Sequence, residues 1–297
     1  MTAQHTESDR STTGELFVSS ARARRIMRAE RFANATELIG VWLLALLWIA
    51  PLAYVFWAAF RRTDVALTFQ PFTGWTFDNI ITVWGMAPFG RFYYNTILLV
   101  VGLSAGQIIL GCLAAYAFTR YRFPLHNLMF TLVLLQLMIF PEVLLGENFR
   151  LVASLGLADT LRGIGLPYLA SAFFIFLLRQ TFKSVPVELV EAAEVEGAGR
   201  LEILWKVYVP IARPTIIAFG LVSISFHWNN FLWPLVITQS VEARPITVGI
   251  YRFLSPEIGI NFTALTAGTV ITVLPLLALF LVAQRAFIQN FLRAGIK

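Results

Sequence analysis

The sequence of 297 residues is poor in the side chains that build catalytic, metal and disulfide sites. It has one cysteine, Cys112, which excludes an intramolecular disulfide framework. Its three histidines, His5, His126 and His227, stand at no zinc-site spacing. Charged residues make up 13% and hydrophobic residues 58% of the chain. This balance is too apolar for an ordinary soluble domain and indicates a membrane protein.

Lysine is also scarce, and its scarcity bears on the source of energy. The three lysines are Lys183, Lys206 and Lys297, and none of them follows a glycine. A phosphate-binding loop of the Walker type needs a Gly-Lys-Ser/Thr sequence. If ATP and Mg²⁺ are used, another polypeptide must therefore bind and hydrolyse the nucleotide. We expect this chain to be no enzyme and to bind no cofactor or metal.

Six apolar stretches each reach the roughly 20 residues that a bilayer core demands. They cover residues 38–60, 96–119, 125–145, 164–182, 215–238 and 264–283. Pro51 predicts a kink in the first, Pro141 interrupts the third, and Pro275 falls inside the sixth. Since helices satisfy their backbone hydrogen bonds internally, the pattern predicts an all-α protein with six membrane spans. A six-span membrane domain is predicted at 36–290, between an N-terminal tail, 1–35, and a C-terminal tail, 291–297.

The charge distribution predicts the orientation of these spans. If both termini lie inside, 16 of the 23 Lys and Arg residues fall on the inner side, with 10 of the 17 acidic residues. This bias agrees with the positive-inside rule and places both termini in the cytoplasm. The arginines of the N-terminal tail are expected to contact anionic lipid, because they adjoin a span, and not nucleic acid.

The longest charged, helix-patterned stretch between spans is Ser184–Pro214, called here the central segment. Gly197 and Gly199 interrupt its pattern, because glycine costs roughly 1 kcal/mol in a helix interior. The segment thus predicts a helix, a bend and a second helix at the membrane surface. Small residues such as Ala192 and Ala193 would let the backbone of a partner come close. On these patterns alone, an ordinary interfacial connection is the alternative.

The central segment resembles a known signature. Glu191-Ala192-Ala193, then Gly197, then Val207-x-Val209-Pro210 is similar to the EAA motif of the inner-membrane permease subunits of ABC importers. The likeness extends to Arg122-Phe123-Pro124, Leu178-Arg179-Gln180, the run from Trp228 to Pro234, Gln284-Arg285 and Arg293-Ala294-Gly295. These features look like the carbohydrate-uptake branch, and specifically the smaller permease of maltose and glycerol-3-phosphate systems.

This resemblance implies a role for the central segment. In the family, a cytoplasmic coupling helix, here residues 186–200, docks in a groove on a partner ATPase and moves as a lever. The residues expected to take part are Glu188, Glu191, Ala192, Ala193, Gly197, Ala198 and Pro210. The tail residues Gly295, Ile296 and Lys297 are expected to reach the same ATPase interface.

The resemblance also implies the assembly. We expect a second, homologous permease, two copies of the ATPase and an extracellular or periplasmic solute-binding protein, all at a bacterial inner membrane. The solute is expected to be an oligosaccharide, a monosaccharide or glycerol 3-phosphate.

A cluster at the end of the predicted fifth span is the candidate lining of the translocation path. Sugar hydroxyls bind amides, and sugar rings pack on aromatic rings. The cluster offers His227, Trp228, Asn229, Asn230 and Trp233. Gln107, Gln136 and Thr272 are further candidates, with hydrogen bonding between helices as the alternative.

Three other classes stay open on the residues. A carrier driven by an ion gradient usually has carboxylates within its spans; here Glu142 and Glu147 lie at the end of the third span, and no aspartate lies in any span. A membrane enzyme would need an acid, base or metal cluster. A purely structural subunit would tolerate change at Gly197. Cys112 and the Gly102-xxx-Gly106 motif are expected to pack helices.

Overall fold

The computed structural model describes residues 36–62, 73–251 and 262–295, with side chains in the last range as far as residue 284. The chain divides into two compact units, residues 1–57 and 58–297. In the first unit the described part belongs to helix α1, Thr36–Ala59, whose mean hydropathy is 2.2. α1 runs through Pro51 without a break. The predicted N-terminal tail, 1–35, lies outside the described residues.

The described part of the second unit is helical, with one isolated antiparallel bridge between Arg61 and Trp75. Its helices are α2 Asp78–Met86, α3 Phe89–Arg120, α4 His126–Leu135, α5 Leu145–Ser154, α6 Leu161–Gly165, α7 Ala172–Lys183, α8 Val187–Val195, α9 Arg200–Ile203, α10 Val209–Trp228, α11 Leu232–Ile237, α12 Ile246–Tyr251 and α13 Phe262–Gly295. Short 3₁₀ turns follow α4, precede α5 and follow α6, at Gln136–Met138, Pro141–Leu144 and Leu166–Tyr168. The predicted all-α class is confirmed.

Four described helices are long and apolar enough to cross a membrane: Thr36–Ala59, Phe89–Arg120, Arg200–Trp228 and Phe262–Gln284. Two further candidates are bent pairs. His126–Met138 and Pro141–Ser154 meet at 94°, and Leu161–Tyr168 and Ala172–Lys183 meet at 48°. The first bend falls at Pro141, where the sequence predicted an interruption. The second was not predicted, although Pro167 lies in the turn and lacks a backbone donor.

The fifth apolar helix differs from its predicted bounds, 215–238. The structure begins this helix at Arg200 and ends it at Trp228, and residues 232–237 form the separate α11. Between α9 and α10 the chain continues as a π-helical turn, Leu204–Tyr208, just before Pro210. A wider turn accommodates a proline, whose ring and missing N–H disturb the preceding turn of an α-helix. The second predicted helix of the central segment is therefore the first part of this long helix.

The main core joins α3, α7 and α10. Cys112 is fully buried there, as expected for a small packing residue. The rings of Phe174 and Phe219 stack with centroids 3.9 Å apart. A side chain at Gly111 would lie 2.3 Å from Phe174, so this close approach of α3 and α7 requires glycine. Of the predicted glycine pair, Gly106 packs in the same way against Leu169, whereas Gly102 has no neighbour within 4 Å.

Candidate functional site

The central segment forms α8 and leads into the long α9–α10 helix. Pro186, the first residue of the predicted helix 186–200, is the N-cap of α8. Its ψ of 133° is not helical, so the helix itself begins at the next residue, Val187. Glu188 lies in the first turn, where a carboxylate is favoured by the positive end of the helix dipole. α8 is nine residues long, which is short for an isolated helix, so its stability must come from packing.

The end of α8 explains the glycine of the motif. The amide of Gly197 donates to the carbonyl of Glu194 at 3.0 Å, and that of Ala198 to the carbonyl of Ala193 at 2.9 Å. These two bonds are those of a Schellman motif, which places a left-handed residue just after the helix. Gly197 has φ +79°. Its backbone conformation disfavours any side chain, although nothing lies within 4 Å of where a Cβ would stand.

One face of α8 packs against the chain itself. Val190 is buried at 2% exposure, and Ala193 and Ala198 lie partly buried in the same cluster. Beneath them the ring of Tyr208 lies 5.2 Å from that of Tyr116. This aromatic layer belongs to the core formed by α3, α7 and α10.

The opposite face of α8 contacts nothing within the described chain that would bury it. We call this face the outer ridge. Its members lie three and four residues apart and therefore share one side of the helix. They are Glu188, Glu191, Ala192 and Val195. Val195 is 88% exposed. The Glu-Ala-Ala triplet is therefore divided, because Ala192 points outward and Ala193 points inward. Pro210 is also exposed, on α10.

Two cationic contacts join the central segment to the end of α3. The guanidinium of Arg120 forms an ion pair with the carboxylate of Glu194 on α8. The guanidinium of Arg200 lies 5.5 Å from the centroid of the Tyr121 ring. Arg120 and Tyr121 are the last residue and the C-cap of α3. The sequence pattern predicted neither contact.

The predicted translocation cluster divides into a buried and an accessible part. His227, Trp228 and Trp233 are at most 7% exposed. The indole of Trp228 donates to the carbonyl of Thr272 at 3.3 Å, and that of Trp233 to the carbonyl of Ile164 at 3.1 Å. These side chains are satisfied within the chain, so their lining of a path stays a prediction. Asn229 is exposed, and Asn230 is partly buried.

Behind this cluster lies a buried polar network. Ser223 on α10 donates to the amide oxygen of Gln107 on α3 at 2.6 Å, and its hydroxyl also lies 2.9 Å from that of Ser104. The amide nitrogen of Gln107 donates to the carbonyl of Tyr168 at 2.7 Å and lies 3.2 Å from Nε2 of His227. Gln107 thus bonds between helices, the alternative reading of its sequence position.

The sequence pattern missed Ser104, Ser223 and Tyr168. A signal was present for two of them, because Ser104 and Gln107 are three residues apart, and Ser223 and His227 four apart, on otherwise apolar helices. Tyr168 sits in the turn after α6, where its ring lies 5.3 Å from that of His227. No periodicity marks a residue in such a turn.

The two carboxylates considered for ion coupling are exposed. Glu147 accepts a hydrogen bond from Arg150 at 3.0 Å on the surface of α5. Glu142 lies in the 3₁₀ turn before α5 and is exposed. Within the described residues, no three His, Cys, Asp or Glu side chains converge as they would around a metal ion.

Asp159 holds a connection on the opposite side of the fold from α8. One of its carboxylate oxygens accepts hydrogen bonds from the amides of Gln239 at 2.8 Å and Ser240 at 3.0 Å. Burial alone would raise the pKa of the Asp159 carboxyl, but these bonds and the nearby Arg244 outweigh it and lower the pKa below its ordinary value. The ionised form of Asp159 therefore fixes the chain after α11.

Of the predicted tail contacts, Gly295 is the last residue of α13, while Ile296 and Lys297 lie outside the described residues.

Residues 107–293 match the family model described as binding-protein-dependent transport system inner membrane component. The chain is similar to the sn-glycerol-3-phosphate transport system permease protein UgpE of Yersinia enterocolitica, with 31% identity over 270 residues, which is 87% of this chain and 94% of the relative. UgpE of an Escherichia coli O1:K1 strain is 31% identical over 220 residues, 72% of this chain and 78% of the relative.

Solved structures share the fold. A bacterial ABC transporter involved in the import of the acidic polysaccharide alginate has a chain that aligns with a TM-score of 0.79 and 24% identity, over 88% of this chain and 98% of that one. A chain from the bacterial alginate ABC transporter in complex with an alginate pentasaccharide-bound periplasmic protein aligns with a TM-score of 0.61 and 18% identity, over 84% and 94%. At these identities the likeness concerns the fold.

Proposed function

Because the chain belongs to the family of binding-protein-dependent transport system inner membrane components, and is the permease subunit of an ABC importer, we propose that it forms the translocation path for a sugar-like solute together with a second permease. The observation that carries the proposal is the likeness to UgpE over 94% of that relative's length. Family membership overturns the alternative of a carrier driven by an ion gradient. It also makes the chain a transport component and not an enzyme.

The proposed topology has six spans, with both bent pairs crossing the membrane as single, broken spans. Non-helical backbone at membrane depth is tolerated where it lies within protein or lines a watery cavity. The turns at the two breaks therefore belong inside the assembly and not against lipid. Both termini and the central segment lie in the cytoplasm, which the positive-inside bias of the sequence supports.

The proposed role of the outer ridge is to dock a partner ATPase, present in two copies. Its members are exposed on the side of α8 away from the buried Val190, and two of them are the Glu191 and Ala192 of the motif. The chain has no Gly-Lys pair with which to hold the phosphates of ATP, so nucleotide and Mg²⁺ belong to the partner. The ATPase can move α8 only if it contacts the outer ridge differently in its two states.

The proposed path runs past the broken spans. Tyr168 lies in the turn at the second break, Glu142 lies in the turn at the first, and Asn230 follows α10 with its side chain partly buried. Together they supply a hydroxyl, an amide and a carboxylate, the groups that sugar hydroxyls bind. Asn229 lies beside them in the chain, whereas His227 and the tryptophans support the cluster from behind.

The solute is proposed to be delivered by an extracellular or periplasmic solute-binding protein. UgpE relatives are named for sn-glycerol 3-phosphate, so this is the first candidate. The alginate importer is named for an acidic polysaccharide and is captured with a pentasaccharide-bound periplasmic protein, which makes oligosaccharides the second. The C-terminal tail, with Gly295, Ile296 and Lys297, is proposed to reach the ATPase.

The test is uptake into vesicles that hold the complete complex. We expect Glu191→Lys to reduce ATP-driven uptake of sn-glycerol 3-phosphate to background, with normal amounts of the chain in the membrane. Glu202→Lys makes the same charge change in the central segment but off the outer ridge, and should leave uptake within about 2-fold, since its ion pair with Lys206 is exposed and contributes little. Wild-type uptake in the Glu191 variant would contradict the docking role. If the complex took up maltooligosaccharides and no sn-glycerol 3-phosphate, the proposed solute would be wrong and an oligosaccharide would take its place.

A further inference from the structure

α3 is the one candidate span among the described residues that contains neither a proline nor a break. The others contain Pro51, Pro141, Pro167, the pair Pro210 and Pro214, or Pro275. α3 has 32 residues, so it extends over ~48 Å at 1.5 Å per residue. An uninterrupted helix keeps all its backbone bonds and bends less than one kinked by proline. Motion applied to one end of α3 thus reaches the other end with little loss.

One end of α3 is attached to α8. The Arg120–Glu194 ion pair joins the last residue of α3 directly to α8, and Arg200 over the ring of Tyr121 makes a second attachment close by. The Tyr121 ring also contacts Tyr116 edge-on, with centroids 5.7 Å apart.

The other end of α3 is attached to the connection between α11 and α12. The buried side chain of Asn95 donates to the carbonyls of Glu242 at 2.8 Å and Arg244 at 3.0 Å. The hydroxyl of the buried Thr96 accepts from the amide of Ile246 at 2.9 Å. These bonds fix residues 242–246 to α3. In the proposed topology this connection faces the outside, where a solute-binding protein would dock.

The covalent route from α8 toward the outside is less direct. From α8 the chain enters the α9–α10 helix, which contains the π turn Leu204–Tyr208 and then Pro210 and Pro214. π turns and prolines are the usual places where helices bend. Displacement of α8 is therefore absorbed along α10 more readily than along α3.

We propose that α3 is a strut that couples the outer ridge to the outer connection 242–246, and that Arg120 and Glu194 are the positioning residues that attach the strut to α8. The proposal rests on the proposed function. Docking of the solute-binding protein outside and ATP hydrolysis inside are linked through this helix, and the linkage acts in both directions because coupling free energies are reciprocal.

The attachment suits a genetic test, because it contributes little to stability. The two side chains are 35% and 46% exposed, and exposed ion pairs are generally worth about 0–1 kcal/mol. Reversal of one charge should therefore leave folding intact while it breaks the attachment. Reversal of both charges should restore it.

The readout is the stimulation of ATP hydrolysis by the solute-binding protein, measured on the complete complex in vesicles. Arg120→Glu and Glu194→Arg should each reduce the stimulation by ~5-fold or more, the lower bound for an allosteric coupling of about 1 kcal/mol. The double variant, with both charges reversed, should return to within about 2-fold of wild type. Stimulation at the wild-type level in both single variants, or a double variant no better than the single ones, would overturn the proposal.

The matched control is Glu202→Lys with Lys206→Glu. This pair is also an exposed ion pair of the central segment, but it lies within a single helix. Each reversal should change the stimulation by less than about 2-fold, because such pairs contribute only ~0.2–0.5 kcal/mol. Equal losses in the control and in the Arg120 variants would show a general charge effect and overturn the strut.

The outer end of the strut gives a second, independent variant. Thr96→Val keeps the side-chain shape but removes the acceptor of the Ile246 amide. It should lower the stimulation while the chain remains in the membrane, and an unchanged stimulation would count against the strut. If Glu191→Lys is also without effect, the proposed docking of the ATPase on the outer ridge is wrong. If Glu191→Lys abolishes uptake while the Arg120 and Thr96 variants behave like wild type, only the strut proposal is wrong.

Discussion

The two faces of α8 differ in whether contacts within the chain account for their residues. Val190 and Ala193 face inward and are accounted for by the chain's own core. Glu191, Ala192 and Val195 face outward and have no such account within the described residues. A short helix needs one packed face to exist at all, so the second face is available for a partner. The motif thus contains two kinds of residue, and substitutions should separate loss of stability from loss of coupling.

The largest expected effect on stability comes from the inward face. Val190→Asp places a carboxylate in an apolar cluster without a partner, at a cost of several kcal/mol. We expect the amount of chain in the membrane to collapse and the thermal transition of the detergent-extracted complex to fall. A stable Val190→Asp protein would mean that α8 does not pack as described.

The neighbouring alanines of the motif make the sharpest comparison. Ala193→Trp overfills the cluster beneath α8 and should destabilise the protein by about 1–3 kcal/mol. Ala192→Trp points outward and should leave the thermal transition within about 1 °C, because surface changes stay within about 0.5 kcal/mol. Uptake should nevertheless be lost in both. If the two variants are equally unstable, the division of the triplet is wrong.

Gly197 should show a smaller, conformational effect. A β-branched residue at φ +79° is strained, and the left-handed conformation costs roughly 1–2 kcal/mol. Gly197→Val should lower the thermal transition accordingly. Gly197→Asn should retain much more stability and uptake, since asparagine tolerates this conformation. Equal loss with valine and asparagine would show that steric contact with a partner, and not the backbone, demands glycine.

The smallest expected effect lies at Asp159, which is far from both faces of α8. Because the pKa of Asp159 is lowered on folding, its contribution to stability is present above the ordinary aspartate pKa and is lost as the pH falls through the folded value. Thermal melts below about pH 4 should show this loss in the wild type. Asp159→Asn should remove that part of the pH dependence. A wild-type pH profile in Asp159→Asn would contradict the role of the carboxylate.

The sequence predicted the helical class and the place of α8, because apolar length and helical spacing are local signals. Glu188, Gly197 and the break at Pro141 stand where local chemistry puts them. The extent of α9–α10 was not predictable, because the π turn before Pro210 lets the helix continue where proline usually ends one. The faces of Ala192 and Ala193 were also hidden, since which alanine turns inward depends on Tyr208 and Tyr116, far away in the sequence.

Contacts between distant spans were beyond the pattern as well. Arg120 meets Glu194, and Ser104 meets Ser223, through packing that no single stretch encodes. His227 and the tryptophans near it are predicted pathway residues because their composition suits a sugar. Their burial follows from partners on α3, on α13 and in the turn after α6, which the sequence of the cluster does not reveal.

The most direct test of the central claim is chemical labelling of Val195→Cys in a Cys112→Ala background. Val195 is 88% exposed on the outer ridge. A membrane-impermeant maleimide should label this cysteine only from the cytoplasmic face, and the partner ATPase should protect it, whereas Leu201→Cys, off the ridge, should remain reactive. Labelling of the Val195 position from the outer face, or at the same rate with and without the ATPase, would contradict the account.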